Sequence, residues 1–336
     1  MPKHHDYDAL PTDTHAPTFR KELRVVAAVV VFVCILEIIA RCIAPHLDYD
    51  RENIFNFPKD ISTLKENAKQ SGKPRVVFFG NSLMLHGLDE KRFHEESEQS
   101  GTPEVESCKI TPVGTAMLDW VYLYRRYFAD KSSAPDVLVV GFVRHHIYDQ
   151  EPIKLRRLSR HFVQTPDLPT LWDTDLEDFH QRVQSTLCHF SALEGDQPEY
   201  PLGILYSLVP DYQDGLKRNN RLVAADHERK AKARAEKEGL PFGEPKSTFN
   251  RMTRFIEFAQ AQGVKLVFVP MPQPHVWDFN PEAAKIITDH GCSIVDARRI
   301  PGMTDSDFSD GYHLGETGKE KFSTWLAHQM KKELVQ

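Results

Sequence analysis

The chain has 336 residues, 40% hydrophobic and 27% charged, with a formal net charge of −6. That is enough for one large globular domain or a domain with an insertion, and it excludes a disordered tail or a collagen-like chain. With 42 basic against 48 acidic side chains there is no positive field to hold a polyanion against screening, so nucleic acid is not an expected partner. The five cysteines, two in an apolar stretch (Cys34, Cys42) and three isolated (Cys108, Cys188, Cys292), are too scattered for a disulfide framework or a zinc ribbon, and they do not report the compartment.

The first predicted element is apolar. Residues 25–36 are twelve apolar side chains without a break, continuing through Glu37 and Arg41 to Ala44 before Pro45. About 20 helical residues cross a hydrocarbon core of about 30 Å, which residues 25–44 match if Glu37 and Arg41, one helical turn apart, pair with each other or if Arg41 reaches the interface. Arg20, Lys21 and Arg24 precede the run, whereas Asp48, Asp50, Arg51 and Glu52 follow it. The positive-inside rule therefore keeps residues 1–24 in the cytoplasm and exports everything after about residue 45. No small-residue cleavage site follows the run and Arg41 directly before Cys42 is wrong for lipid attachment, which favours an uncleaved anchor over a signal peptide or a buried core helix. Residues 45–73 read as a linker.

From residue 74 the pattern is strand, helix, strand, helix, strand. Residues 75–79 are a short apolar run ending at Gly80, 89–100 are polar and helix-compatible, 104–110 alternate weakly, 115–128 carry apolar residues at helical spacing, and 136–140 are a second apolar run ending at Gly141. The rhythm breaks over about 144–245, a Pro- and charge-rich insertion whose stretch 217–238 reads as a charged, solvated helix. It resumes with an amphipathic helix marked by Phe249, Met252, Phe255, Ile256 and Ala259, a strand at 265–269, a helix at 281–290, a short strand at 293–296 and a final helix at 315–332. No internal repeat is found. The expected architecture of residues 74–336 is a three-layer α/β/α domain on a parallel sheet, with its site at the carboxyl ends of the strands.

Two motifs can carry chemistry. The first strand runs into Gly80-Asn81-Ser82, where an adjacent glycine allows a sharp turn and the serine stands at the end of a first parallel strand. Ser82 is a candidate nucleophile, although the same pattern also makes an ordinary helix N-cap. Near the other end, Asp310 lies three residues before His313 in the loop that precedes the final helix. That spacing lets the carboxylate reach Nδ1, fix the tautomer and stabilise an imidazolium formed when Nε2 takes the serine proton. Alone, Asp310 would merely shape the loop. Asn81 and, after the 265–269 strand, His275 are candidates to line a substrate, with a plain loop role equally open for His275; Trp277 offers a sugar-stacking face or simple packing. His145 and His146 point to opposite sides of an extended chain and have no second ligand cluster, so no metal site is expected. No nucleotide, flavin or metal cofactor motif is present.

Both motifs together, in this order and at these positions, resemble the SGNH (GDSL-type) hydrolase family over roughly 74–141 and 247–333. Gly80-Asn81-Ser82 matches the first block and Asp310 with His313 the last. The resemblance implies a flavodoxin-like sheet, a Ser82–His313–Asp310 triad, and an oxyanion hole formed by the N–H groups of Ser82 and of Gly114, which matches the second-block glycine. The third block usually supplies an asparagine after strand three; this chain has Gly141-Phe-Val-Arg144-His-His146, so Arg144, His145 or a group from the insertion would replace that donor, whose loss typically costs about 100- to 1,000-fold in turnover. With the anchor added, the resemblance is to membrane-tethered members that add or remove acyl groups on cell-envelope polysaccharide, often beside a multi-spanning membrane acyltransferase. The implied substrate is an acylated glycan or another ester. The absent asparagine and the large insertion leave a second reading, a degenerate member that binds a glycan or scaffolds a membrane partner.

Overall fold

The computed structural model describes residues 19–47, 49–197, 200–212, 215 and 247–334. The charged stretch 217–238 lies outside the described residues, as does most of the segment that precedes the apolar run.

The first helix, α1 (Phe19–Ile43), is followed after a short 3-10 turn by α2 (Tyr49–Ser71). The α/β domain then runs β1 (Arg75–Phe79), α3 (Ser82–Gly87), α4 (Glu90–Ser100), β2 (Glu106–Ile110), α5 (Met117–Phe128) and β3 (Val137–Phe142). The insertion contributes α6 (Leu168–Thr174), α7 (Phe179–Phe190), α8 (Ala192–Gly195) and α9 (Tyr200–Leu208), after which the domain closes with α10 (Asn250–Ala261), β4 (Lys265–Pro270), α11 (Pro281–Asp289), β5 (Ser293–Ile294) and α12 (Glu316–Leu334).

The five strands form one sheet in the order β2-β1-β3-β4-β5, and every neighbouring pair is parallel. This is the doubly wound, flavodoxin-like order, whose switch point lies between β1 and β3. Strand alternation assigns the two faces. Val77, Phe79, Leu138, Val140, Leu266 and Phe268 pack with α2, α5, α10 and the insertion, whereas Val76, Phe78, Val139, Val267 and Val269 pack with α3, α4 and α12. Burial on both faces is why β1, β3 and β4 are continuous apolar runs rather than alternating ones. The short helix α3 had no counterpart in the sequence reading, and β5 is shorter than expected.

Residues 45–73 are not a linker. Ile54, Phe57, Ile61 and Leu64 recur at helical spacing and are buried on the sheet as part of the core, so α2 is a structural helix of one α-layer despite its charged remainder and internal Pro58.

Among the described residues α1 is the one helix long and apolar enough to cross a membrane, by length and composition, over Lys21–His46. The expected Glu37–Arg41 pairing is present, with Arg41 Nε 2.8 Å from Glu37 Oε1. The pair is also tied to the insertion. Glu37 accepts from the Ser191 hydroxyl at 3.0 Å and from the Ala192 and Leu193 N–H groups at 2.7 and 3.2 Å, and Arg41 donates to the Phe190 carbonyl at 2.5 Å.

Candidate functional site

The turn after β1 is built by close approach. A Cβ on Gly80, whose φ is +157°, would lie 2.7 Å from the carbonyl oxygen of Gly141, so only glycine lets the end of β1 pass so near the end of β3. Asn81 then caps α3, its Oδ1 accepting from the Leu83 N–H at 3.1 Å. Ser82 is the first helical residue, so its N–H is one of those an α-helix does not use internally.

From its place beside Ser82, Asn81 is expected to line the substrate. Instead Asn81 is 1% exposed, and its amide nitrogen donates to the Thr115 carbonyl at 2.9 Å and meets the His146 imidazole at 3.1 Å. Its role is to hold the turns after β1, β2 and β3 together, since its polar atoms are spent on the protein. Thr115 adds a bond from its hydroxyl to the Gly80 carbonyl at 3.4 Å. His146 also accepts from the Val143 N–H at 3.2 Å, and burial, followed by the charges of His145 and Lys154, holds its pKa well below the usual imidazole range. His146 is therefore a neutral structural group.

The loop bearing Asp310 and His313 is a closed turn. Phe308 and Leu314 form an antiparallel bridge, the Ser309 N–H donates to the His313 carbonyl at 2.9 Å, and Gly311 takes a φ of +79° at the tip. Below it, the Asp307 carboxylate accepts from Lys321 Nζ at 2.8 Å and the Thr304 N–H at 2.7 Å, anchoring the loop to α12 and to the chain before it.

Across 231 residues of sequence these two elements meet. His313 Nε2 is 2.9 Å from Ser82 Oγ, and His313 Nδ1 is 2.8 Å from Asp310 Oδ2. The other carboxylate oxygen, Oδ1, accepts from the backbone N–H groups of Tyr312 and His313 at 2.9 and 2.7 Å. Burial by itself would raise the Asp310 pKa, but the bonds from the His313 side chain and backbone, the charge of His313 and the Tyr312 N–H outweigh it and hold the carboxyl well below the ordinary range. Ser82 is 8% exposed, while the His313 side chain retains 25% exposure, so the pair is backed by protein and open on one side. Chemically, this is a hydroxyl with a base in hydrogen-bond range and an ionised group fixing that base, the arrangement that activates a serine.

The remaining expected residues lie at the same edge of the sheet, after successive strands. Gly114 follows β2 at the surface with φ +64°, and its carbonyl accepts from Lys154 of the insertion at 2.5 Å. Arg144 opens the 3-10 turn Arg144–Ile147 after β3 and is half-buried. His275 is exposed in the loop after β4, where the neighbouring Gln273 amide donates to the Tyr312 carbonyl at 3.3 Å and so joins that loop to the histidine turn. Trp277 packs: its ring meets Phe142 edge-on, its indole N–H donates to the Met271 carbonyl at 2.9 Å, and the Arg298 guanidinium covers it.

His86 belongs to the site and was not singled out from sequence. Its ring meets that of His313 edge-on, with centroids 5.2 Å apart. Desolvation by neighbouring protein and then the charge of His313 lower its pKa to about 4, so it is neutral near pH 7. The available signal was its position four residues after Ser82, which on a helix shares a face, but that requires knowing that α3 is helical. Among the described residues no three His, Cys, Asp or Glu side chains gather in a way that could hold a metal ion.

No protein-family model and no curated protein sequence matches this chain. Among solved structures it is similar to a lipase/acylhydrolase from Enterococcus faecalis, at 13% identity and a TM-score of 0.33 over 78% of this chain and 97% of that one. It is also similar to LAE5, an alpha/beta hydrolase enzyme from the metagenome of Lake Arreo, Spain, at 11% identity and a TM-score of 0.28 over 76% of this chain and 94% of that one.

Proposed function

We propose that this protein is a membrane-anchored, serine-dependent acyl esterase or O-acyltransferase of SGNH type, with its site outside the cytoplasm and an acylated cell-envelope glycan as substrate. The observation that carries the reading is the continuous hydrogen-bond chain from Ser82 through His313 to Asp310. In the reaction, Ser82 Oγ attacks the ester carbonyl as its proton passes to His313 Nε2, and Asp310 holds Nδ1–H and stabilises the imidazolium. The N–H groups of Ser82 and Gly114 receive the oxyanion, with Arg144 as the donor in place of the absent asparagine. Collapse of the tetrahedral intermediate breaks the bond to the alcohol, which leaves with the proton from His313. The acyl group on Ser82 then passes to water or to a sugar hydroxyl, His313 again taking the proton. Which acceptor arrives first separates esterase from transferase, and a multi-spanning acyltransferase beside α1 is the partner expected to deliver acyl groups.

A specific feature favours a second reading, a glycan-binding or scaffolding protein without turnover: the third donor position holds Arg144, whose long side chain is a less fixed donor than an asparagine amide. Covalent labelling of the full-length, detergent-solubilised protein with a fluorophosphonate probe decides between them. Stoichiometric labelling of the wild type, abolished in Ser82→Ala and in His313→Ala, supports the enzyme. A folded wild type that stays unlabelled overturns it in favour of the binding protein.

A further inference from the structure

The insertion carries a helix whose exposed face is apolar. In α7 the positions open to solvent are Phe179, His180, Val183, Leu187 and Phe190, and four of these are large hydrophobics, 80%, 40%, 55% and 56% exposed for Phe179, Val183, Leu187 and Phe190. Their spacing of four, four and three residues draws one stripe along the helix, the reverse of a surface helix on a soluble domain, which turns its polar face outward. The concentration is local. Outside α1, the exposed large hydrophobics among the described residues all fall within 179–209 apart from Phe55 and Val276; α9 adds Ile204, Leu205 and Leu208, and Val209 follows directly after it.

This surface adjoins the end of the apolar anchor. Phe190 is bonded through its carbonyl to Arg41, and the Ser191–Leu193 turn that follows it grips the Glu37 carboxylate. α9 reaches the same place, since a Cβ at Gly203 would lie 2.5 Å from the carbonyl oxygen of Leu47, just past the end of α1. The unbroken part of the anchor's apolar sequence is shorter than a full span. Its unbroken run, twelve residues over 25–36, spans about 18 Å of a hydrocarbon layer of about 30 Å. The remaining turns must therefore enter the membrane with Glu37 and Arg41; the Glu37 carboxylate is bonded to Arg41 and to the α7–α8 turn, and Arg41 bonds Glu37 through Nε and the Phe190 carbonyl through Nη2, while Ile38, Ile39 and Ile43 stay exposed beside them.

We propose that the insertion is a membrane-seated collar: α7 lies in the plane of the bilayer beside the exit of α1, with Phe179, Val183, Leu187 and Phe190 set into the boundary between headgroups and acyl chains. The occupant of the stripe is lipid. A surface continuous with a membrane-spanning helix meets the bilayer before any partner arrives, and a helix with this one-sided apolar face typically sinks about 5–10 Å into that boundary. The consequence for the domain is a fixed height and orientation on the membrane, in place of a tethered domain that tumbles. The proposal rests on α1 spanning the bilayer and is independent of the chemistry of Ser82.

The test uses the full chain reconstituted into vesicles of phosphatidylcholine and phosphatidylglycerol, with a photo-crosslinking benzoylphenylalanine placed singly at Val183, Leu187, Val30 in the anchor, or Lys91 on the opposite α-layer. Mass spectrometry reads the adducts. Lipid adducts at 183, 187 and 30, with none at 91, are expected. Lipid adducts at 30 together with none at 183 and 187, or with crosslinks there to a second copy of the chain, overturn the collar and leave the anchor standing. Absence of lipid adducts at 30 as well overturns both.

Discussion

Replacing Asp310 by asparagine separates charge and tautomer from loop geometry. The carboxylate does two jobs with its two oxygens: Oδ1 accepts from the N–H groups of Tyr312 and His313, and Oδ2 faces His313 Nδ1. An asparagine keeps the first job with its carbonyl oxygen, so the turn closed by the Phe308–Leu314 bridge stays folded. At the second position it presents an amide N–H. Nδ1 must then accept, the proton moves to Nε2, and Nε2 faces Ser82 Oγ as a donor when the reaction needs an acceptor. Where a carboxylate holding a catalytic histidine has been changed to its amide in a serine protease, turnover falls about 10⁴-fold, or about 5.5 kcal/mol at about 1.4 kcal/mol per tenfold. We expect the rate of fluorophosphonate labelling of Ser82 to fall by about three to four orders of magnitude, with the melting temperature almost unchanged. Labelling at near the wild-type rate would refute the argument that Asp310 acts through the tautomer. A large loss of thermal stability would instead show that its bonds to the turn are what matter.

Three further outcomes follow from the same structure. Gly80→Ala places a Cβ 2.7 Å from the Gly141 carbonyl, a backbone atom that cannot swing away, so chemical denaturation should show a loss of about 1–3 kcal/mol, and an unchanged midpoint would contradict the close approach of β1 and β3. Asp196, fully buried between Arg51, Arg160 and His161, is pushed up by burial but pulled down further by the bond from His161 and by the neighbouring positive charges, to a pKa of about 2 from the ordinary 3.8. Because the folded value is depressed, its stabilisation is complete above the unfolded value and is lost as pH falls through the folded one. Asp196→Asn should therefore cost about 3–5 kcal/mol near neutral pH and flatten the loss of stability below pH 3.8, read from thermal melts across pH. His86 is neutral above its pKa of about 4, so His86→Ala should leave the midpoint of the acid limb of Ser82 labelling in place; a shift of more than about half a pH unit would mean that His86 carries charge in the working range.

The strands were legible because of where they lie. A parallel strand covered on both faces has no polar side to show, so β1, β3 and β4 stand out as apolar runs, whereas the edge strand β2, with Glu106, Ser107 and Lys109 only partly buried, barely registers. Helix α2 was missed for the opposite reason: its buried stripe is narrow, and Asp50, Glu52, Lys59, Asp60, Lys65 and Glu66 outweigh it in composition. The Asp310–His313 pair was legible from its spacing, whereas its match with Ser82 was what the resemblance of the two motifs to a known family implied. Asn81 was misread, because a polar residue beside a nucleophile looks the same in sequence whether its amide faces a ligand or, as here, spans the neighbouring loops.

What the sequence determined by itself was the alternation of strand and helix, the apolar segment near its start, and the three-residue spacing that pairs Asp310 with His313. Each of these is written in local order or short spacing. The tertiary structure decided which distant side chains share a hydrogen bond and which apolar stripes remain uncovered. Periodicity says that one side of a helix is apolar; it does not say what lies against it. Ile54 and Phe57 of α2 and Val183 and Leu187 of α7 follow the same spacing rule, yet the first pair is buried on the sheet and the second faces outward, because burial depends on what the rest of the chain brings alongside.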